Sequence, residues 1–115
     1  MRKAILIPFL ALLALSNFAS STAHTGAFNL RITNNTNSEI REMRLAWSGT
    51  GRWGPDVLGK RVLKPRESFD IPGVSAGDYD ILFINAGGRG CVAGPIPIYD
   101  NMAWDLTDRK CRPRN

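Results

Sequence analysis

The chain has 115 residues, a formal net charge of +5, one histidine and two cysteines. A chain of this size holds one small hydrophobic core and has little reserve of stability. With so few histidine and cysteine side chains, the composition gives no support to a metal centre of the zinc type.

The first residues predict export. Two basic residues precede an apolar run from Ala4 to Leu15, and small and polar residues follow it. This order is typical of a secretory signal peptide, and the run is shorter than the roughly 20 residues that a spanning helix needs. We predict that residues 1–23 are removed, with cleavage after Ser21 or Ala23. The mature protein is then secreted or periplasmic and not membrane-spanning.

Cleavage also changes the charge. Thirteen basic and ten acidic residues would remain in the mature domain, residues 24–115, which gives a net charge of +3. This balance is ordinary for a small domain and gives no reason to expect a nucleic-acid partner. We interpret the basic tail from Arg109 to Arg114 as a solvated chain end.

The mature chain has the hydrophobic period of β-strands. Apolar residues alternate or run on in residues 28–32, 40–47, 62–63, 69–71, 79–84, 91–99 and 102–106, and Gly, Pro, Asn and Ser separate these segments. The pattern predicts an all-β fold, a small antiparallel β-sandwich of roughly seven strands in one domain. For residues 40–47 a helical face is the competing interpretation, but the short length favours a strand.

Three further expectations concern the core. Residues 79–84 are apolar on both faces, which indicates a central strand. Residues 91–99 contain two prolines, which lack amide donors and indicate an edge strand. Trp47 and Trp104 lie within strands and are expected in the core.

The cysteines predict one disulfide. Cys91 and Cys111 are the only two in the chain, and an even count in an exported protein favours pairing. Closing a loop of about 20 residues would stabilise the domain by roughly 3 kcal/mol in the chain-entropy model.

The sequence Asn34-Asn35-Thr36 has the form of a glycosylation acceptor. Whether Asn34 carries a glycan depends on a host that the sequence does not reveal.

A glycine-rich loop between Ser48 and Gly59 is the strongest candidate for a binding surface. Its Gly49-x-Gly51-x-x-Gly54 matches the dinucleotide fingerprint, but Pro55 follows where that chemistry needs a helix N-terminus, so no cofactor is predicted. We predict that ligand contacts come from the loop residues Arg52, Trp53 and Asp56. For Trp53 the structural interpretation is nevertheless favoured, because a long loop in a small domain needs a residue that holds it: Trp53 is then a lid over the end of the sandwich, and Asp56 caps a turn.

Acidic residues provide the rival hypothesis. Asp78 and Asp80 project to one side of a strand, and Asp100 lies in a later loop. Carboxylates on such loops can bind calcium, and a pair can serve glycoside hydrolysis. The spacing matches no calcium-binding loop, so solvated turn residues are the simpler interpretation.

His24 is the single histidine, and it lies beside the predicted mature N-terminus. It therefore cannot serve a catalytic triad in the core. Cleavage after Ser21 would place it third, in an amine, amide and imidazole arrangement that can bind Cu(II).

The loop Trp53-Gly54-Pro55-Asp56-x-Leu58 and the later Leu63-x-Pro65 turn resemble those of a group of small exported bacterial proteins of uncharacterised function. The group also has an N-x-T strand, a Y-D strand and a terminal cysteine, here Asn34–Thr36, Tyr79-Asp80 and Cys111. Two departures are Arg66, where the group has Gly, and Gly77-Asp78, where it often has a cysteine. The resemblance implies export and a β-sandwich, and it implies no activity.

These observations together predict an exported, non-catalytic binding or structural accessory protein, monomeric and without a cofactor. Its expected partner is a protein or a glycan of the cell envelope. The alternative is a calcium-dependent module or a hydrolase that uses Asp78 and Asp80.

Overall fold

The structure, a computed structural model, describes residues 27–114. The predicted signal peptide, its cleavage site and His24 lie outside the described residues. Seven strands follow in order: β1 (Phe28–Asn34), β2 (Ile40–Trp47), β3 (Ser68–Val74), β4 (Gly77–Asn85), β5 (Gly90–Ile98), β6 (Met102–Leu106) and β7 (Arg112–Pro113). A 3₁₀ turn, Asp108–Lys110, precedes β7.

The strands form two sheets, one in the order β3-β1-β6 and the other in the order β2-β4-β5-β7. Apolar side chains from the inner faces of both sheets make one core, in which Leu30, Ile32, Ile81 and Ile98 are fully buried. The predicted all-β sandwich is confirmed. One pair departs from the antiparallel prediction, because β1 and β6 run parallel.

The strand between residues 62 and 63 was predicted wrongly. Only Leu63 pairs, in an isolated bridge to Ile40, and the seventh strand is instead β7. The strand predicted at residues 69–71 is longer than expected, since β3 continues through Pro72-Gly73 to Val74. The prediction for β4 is confirmed, because it lies between β2 and β5.

The basic side chains of the tail are exposed, as the sequence suggested, but the backbone of the tail is paired. Arg112 and Pro113 pair with Val92 and Cys91 of β5, and the amide of Arg114 donates to the carbonyl of Gly90 at 3.1 Å. The Cys91–Cys111 disulfide, which confirms the predicted pairing, fixes the tail just before β7. Because β7 is so short, the prolines of β5 lie beyond its reach, on the free edge.

A buried asparagine connects three segments of the chain. Asn34 is fully buried at the end of β1. Its side-chain amide donates to the carbonyls of Ser38 at 2.8 Å and Leu63 at 3.0 Å, and its side-chain oxygen accepts from the amide and hydroxyl of Thr36. Its backbone pairs with Arg66 and Glu67.

These contacts answer the question raised by the Asn34-x-Thr36 sequence. The nitrogen that a glycan would modify is buried and donates two hydrogen bonds. In the folded protein Asn34 is therefore closed to glycosylation, and the Asn-x-Thr pattern serves the turn after β1.

We predict that Asn34→Ala lowers the free energy of unfolding by about 2–4 kcal/mol, because it leaves several buried backbone groups without partners. Urea denaturation followed by tryptophan fluorescence measures the change. Asn37→Ala, in the same turn but exposed, is the matched control and should change stability by less than about 0.5 kcal/mol. Equal losses in the two variants would contradict the role assigned to Asn34.

Candidate functional site

Two exposed aromatic side chains lie at one end of the sandwich. Trp47, the last residue of β2, is 52% exposed, and Tyr99, which follows β5, is 61% exposed. Trp47 pairs with Tyr79 at the start of β4, and Gly77 pairs with Ile98 at the end of β5, so the two rings are at the same end. We call this surface the aromatic end; it comprises Trp47, Tyr79, Tyr99 and the loop 48–53.

The expectation that Trp47 is a core residue was wrong. It has inward parity on β2, but it lies at the last position of the strand, where one face of the ring covers Tyr79 and much of the rest is in solvent. The Trp47 and Tyr79 ring centroids are 4.7 Å apart, with 22° between the planes.

The indole of Trp47 is held in place by its neighbours. A Cβ atom on Gly77, whose φ is +155°, would overlap Cζ3 of Trp47, so only glycine allows the ring to pack there. Tyr79 is itself fixed, because its hydroxyl donates to the carbonyl of Ser75 at 2.7 Å. Burial raises the pKa of Tyr79 above its ordinary value.

Trp104 comes closer to the expected core position. It is half-buried on β6 and packs against the core. Its ring is parallel to that of Phe83 in the opposite sheet, with centroids 6.2 Å apart, and the ammonium of Lys110 covers it at 4.7 Å.

The glycine-rich loop runs along the outer edge of β2. The amide of Gly54 donates to Leu45, that of Val57 donates to Met43, and Leu63 bridges Ile40. The side chain of Leu58, which belongs to this loop, is buried in the core. No helix follows the three glycines of the fingerprint pattern, so the loop does not lead into the helix N-terminus that the fingerprint chemistry uses.

The three loop residues predicted to bind a ligand lie in different environments. Arg52 is exposed. Trp53 is half-buried, but among the described residues it is not one of the side chains that pack against the core. Oδ1 of Asp56 accepts from the amides of Met43 and Leu58, both at 3.0 Å. The Asp56 carboxylate therefore fixes the loop to β2, whereas Arg52 and Trp53 remain available to a ligand.

The acidic residues of the rival hypothesis hold turns. Oδ2 of Asp80 accepts from the amide of Gly49 at 2.9 Å, and Oδ1 of Asp100 accepts from the amide of Asn101 at 2.7 Å. Asp78 is exposed. Within residues 27–114, no three Asp, Glu, His or Cys side chains form a group that could bind a metal, so the geometry adds no support for a calcium site at these residues.

The opposite end of the sandwich contains a cavity that the sequence did not reveal. Its volume is about 200 Å³. We call this region the disulfide end; it comprises the turns 34–38 and 85–90 and the tail 107–113. The lining consists of Thr36, Ser38, Ile40, Phe83, Asn85, Arg89, Gly90, Cys91, Leu106, Asp108, Cys111 and Pro113.

No sequence signal marked this cavity, because its lining comes from two turns, the adjoining strand ends and a tail that are far apart in the chain. Tyr99 and Trp47 were detectable in principle, since each aromatic residue stands at the end of a strand, immediately before turn residues. The alternation of apolar residues predicts which face of the sheet a side chain is on. It does not predict whether the opposite sheet extends far enough to cover that side chain.

Comparisons with known proteins support the fold. No protein-family model matches the chain, and no curated protein matches it. The chain is similar to a solved structure described as "NMR structure of the protein from Eubacterium rectale", with a TM-score of 0.54 and 13% identity. The similarity covers 83% of this chain and 93% of that chain. In the part of this chain that is described, no helix is long and apolar enough to cross a membrane.

We predict that Asp56→Ala lowers the free energy of unfolding by about 1–3 kcal/mol, because the amides of Met43 and Leu58 lose their acceptor. Asp56→Asn keeps a side-chain oxygen and should lose less. Asp78→Ala, at an exposed carboxylate, is the control in the same urea titration. If Asp56→Ala proves as stable as the control, the carboxylate does not hold the loop.

The raised pKa of Tyr79 predicts a loss of stability at high pH. The folded state resists ionisation of Tyr79, so above the unfolded pKa of about 10 the unfolded chain binds fewer protons than the folded one. The contribution is complete below that pH and is lost as pH rises through the folded-state pKa. Unfolding measured between pH 9 and 11 should show this slope in the wild type and in Tyr99→Phe, and a smaller one in Tyr79→Phe.

Proposed function

We propose that the mature chain is an exported, non-catalytic binding protein whose aromatic end binds a glycan of the cell envelope. The observation that carries the proposal is the indole of Trp47, which is fixed by Tyr79 and Gly77 yet 52% exposed. A ring held in this way loses little conformational entropy when a ligand binds.

The surroundings of the ring favour a sugar over a protein surface. The turn that follows Trp47 is polar: the hydroxyl of Thr50 donates to the carbonyl of Trp47, and the amide of Ser48 donates to the carbonyl of the exposed Asp78. The exposed Arg52 belongs to the same turn, where its amide donates to the hydroxyl of Thr50. The face of an indole carries negative charge density and attracts the C–H groups of a sugar ring, while the polar groups can hydrogen-bond to hydroxyls. An aromatic anchor for a protein partner is more often enclosed by apolar contacts that exclude water.

Two observations support the placement outside the cytoplasm. The disulfide between Cys91 and Cys111 is of a kind that persists in oxidising compartments. The basic and apolar start of the sequence is typical of a signal peptide. A binding role also agrees with the acidic residues, since Asp80 and Asp100 hold turns of the aromatic end.

Co-sedimentation with insoluble peptidoglycan, chitin and cellulose tests the proposal. We expect the wild-type mature protein to be retained on at least one polymer, and Trp47→Ala and Tyr99→Ala to weaken retention about tenfold, the effect of losing a contact of roughly 1.4 kcal/mol. Arg89→Ala, at the opposite end, should bind as the wild type does. Retention on none of the polymers, or equal retention of both aromatic variants, would overturn the assignment.

Trp53→Ala in the same assay decides the role of the loop. If Trp53 contacts the glycan, retention falls while the urea midpoint is unchanged. If Trp53 is a lid, the midpoint falls instead, and the contact surface is limited to Trp47, Tyr99 and Arg52.

A further inference from the structure

The cavity at the disulfide end has an apolar floor and a polar rim. Phe83 and Leu106, each 1% exposed, form part of the floor. Arg89 and Asp108 line the opening and are exposed. At about 30 Å³ for each water molecule, a cavity of about 200 Å³ has room for roughly seven waters or for one small organic molecule.

The turn that carries Arg89 has a defined shape. Oδ1 of Asn85 accepts from the amides of Gly87 at 2.9 Å and Arg89 at 3.0 Å, and the amide of Asn85 donates to the carbonyl of Arg89 at 3.0 Å. On the other side, the disulfide and the pairing of β7 with β5 hold the segment that carries Asp108. Both walls of the cavity are thus tied to β5.

The two charges at the opening do not neutralise each other. The ion pairs among the described residues are Arg31–Asp70, Arg41–Glu39 and Arg44–Glu42, so Arg89 and Asp108 are not paired within residues 27–114. The lining of one cavity therefore includes an arginine, an aspartate and apolar side chains.

We propose that this cavity binds a free amino acid with an apolar side chain, as the zwitterion. The guanidinium of Arg89 binds the carboxylate, and Asp108 binds the ammonium group. The side chain of the ligand lies on the apolar part of the lining, where Cys91, Cys111 and Pro113 have accessible surface. Arginine suits a carboxylate because its planar fork can donate two parallel hydrogen bonds. This site is at the opposite end from the aromatic end and does not depend on the glycan proposal.

Calorimetric titration of the oxidised protein with leucine, N-acetylleucine and leucinamide tests the proposal. The second compound lacks the ammonium group and the third lacks the carboxylate. We expect saturable binding of leucine, with each blocked compound about tenfold weaker. No saturable binding of leucine, valine or phenylalanine would overturn the proposal, as would equal affinity for the three leucine compounds.

Two pairs of variants assign the charges. Arg89→Ala should weaken leucine binding about tenfold, while its control Arg109→Ala, an exposed basic residue outside the lining, should not. Asp108→Asn should weaken binding similarly, while Asp105→Asn should not. If the controls weaken binding as much as the lining variants, the effect is one of general charge and the site is not the cavity.

Amide chemical shifts give a readout that does not depend on affinity alone. Titration with leucine should shift the signals of Ser38, Asn85, Arg89 and Cys111 and leave those of Trp47 and Tyr99 unchanged. Shifts confined to the aromatic end would contradict the cavity site and support a ligand at the other surface.

Discussion

The buried side chain of Asn34 is the constraint on which the rest of the sandwich depends. It lies at the end of β1, the middle strand of the three-stranded sheet. Its side-chain amide donates to the carbonyl of Ser38, just before β2, and to that of Leu63, at the end of the loop that follows β2. An amide in the core is costly unless every donor and acceptor is satisfied. Here all of them are, so the packing of the two sheets and the path of the turn are fixed together.

Around this connection the two ends of the sandwich differ in chemistry. At the disulfide end, turns and a covalently held tail enclose a cavity. At the aromatic end, the side chains of Trp47 and Tyr99 are only partly covered and are largely in contact with solvent. The loop 48–63 lies between these ends and hydrogen-bonds along the free edge of β2. An uncovered edge would be open to pairing with other chains, so the loop has a structural role apart from its possible contacts.

Much of the fold could be predicted from residue patterns, because alternation of apolar residues reports directly on half-buried strands. The disulfide followed from having two cysteines behind an export signal. Strand direction could not be predicted, since alternation looks the same in parallel and antiparallel pairs, and β1–β6 is parallel. The strand β7 was missed because Arg112 and Pro113 have little strand propensity and are positioned by pairing and by Cys111.

The parallel pairing of β1 and β6 has a consequence for the order of folding. Asn29 and Asn101, which hydrogen-bond beside these strands, are 72 residues apart, and both neighbours of β1 come from later parts of the chain. The first strand therefore lacks its β3 partner until residue 74 has been synthesised, and its parallel β6 partner until residue 106. Contacts of such long range close slowly, so the pairing of β1 with β6 is expected to form late in folding.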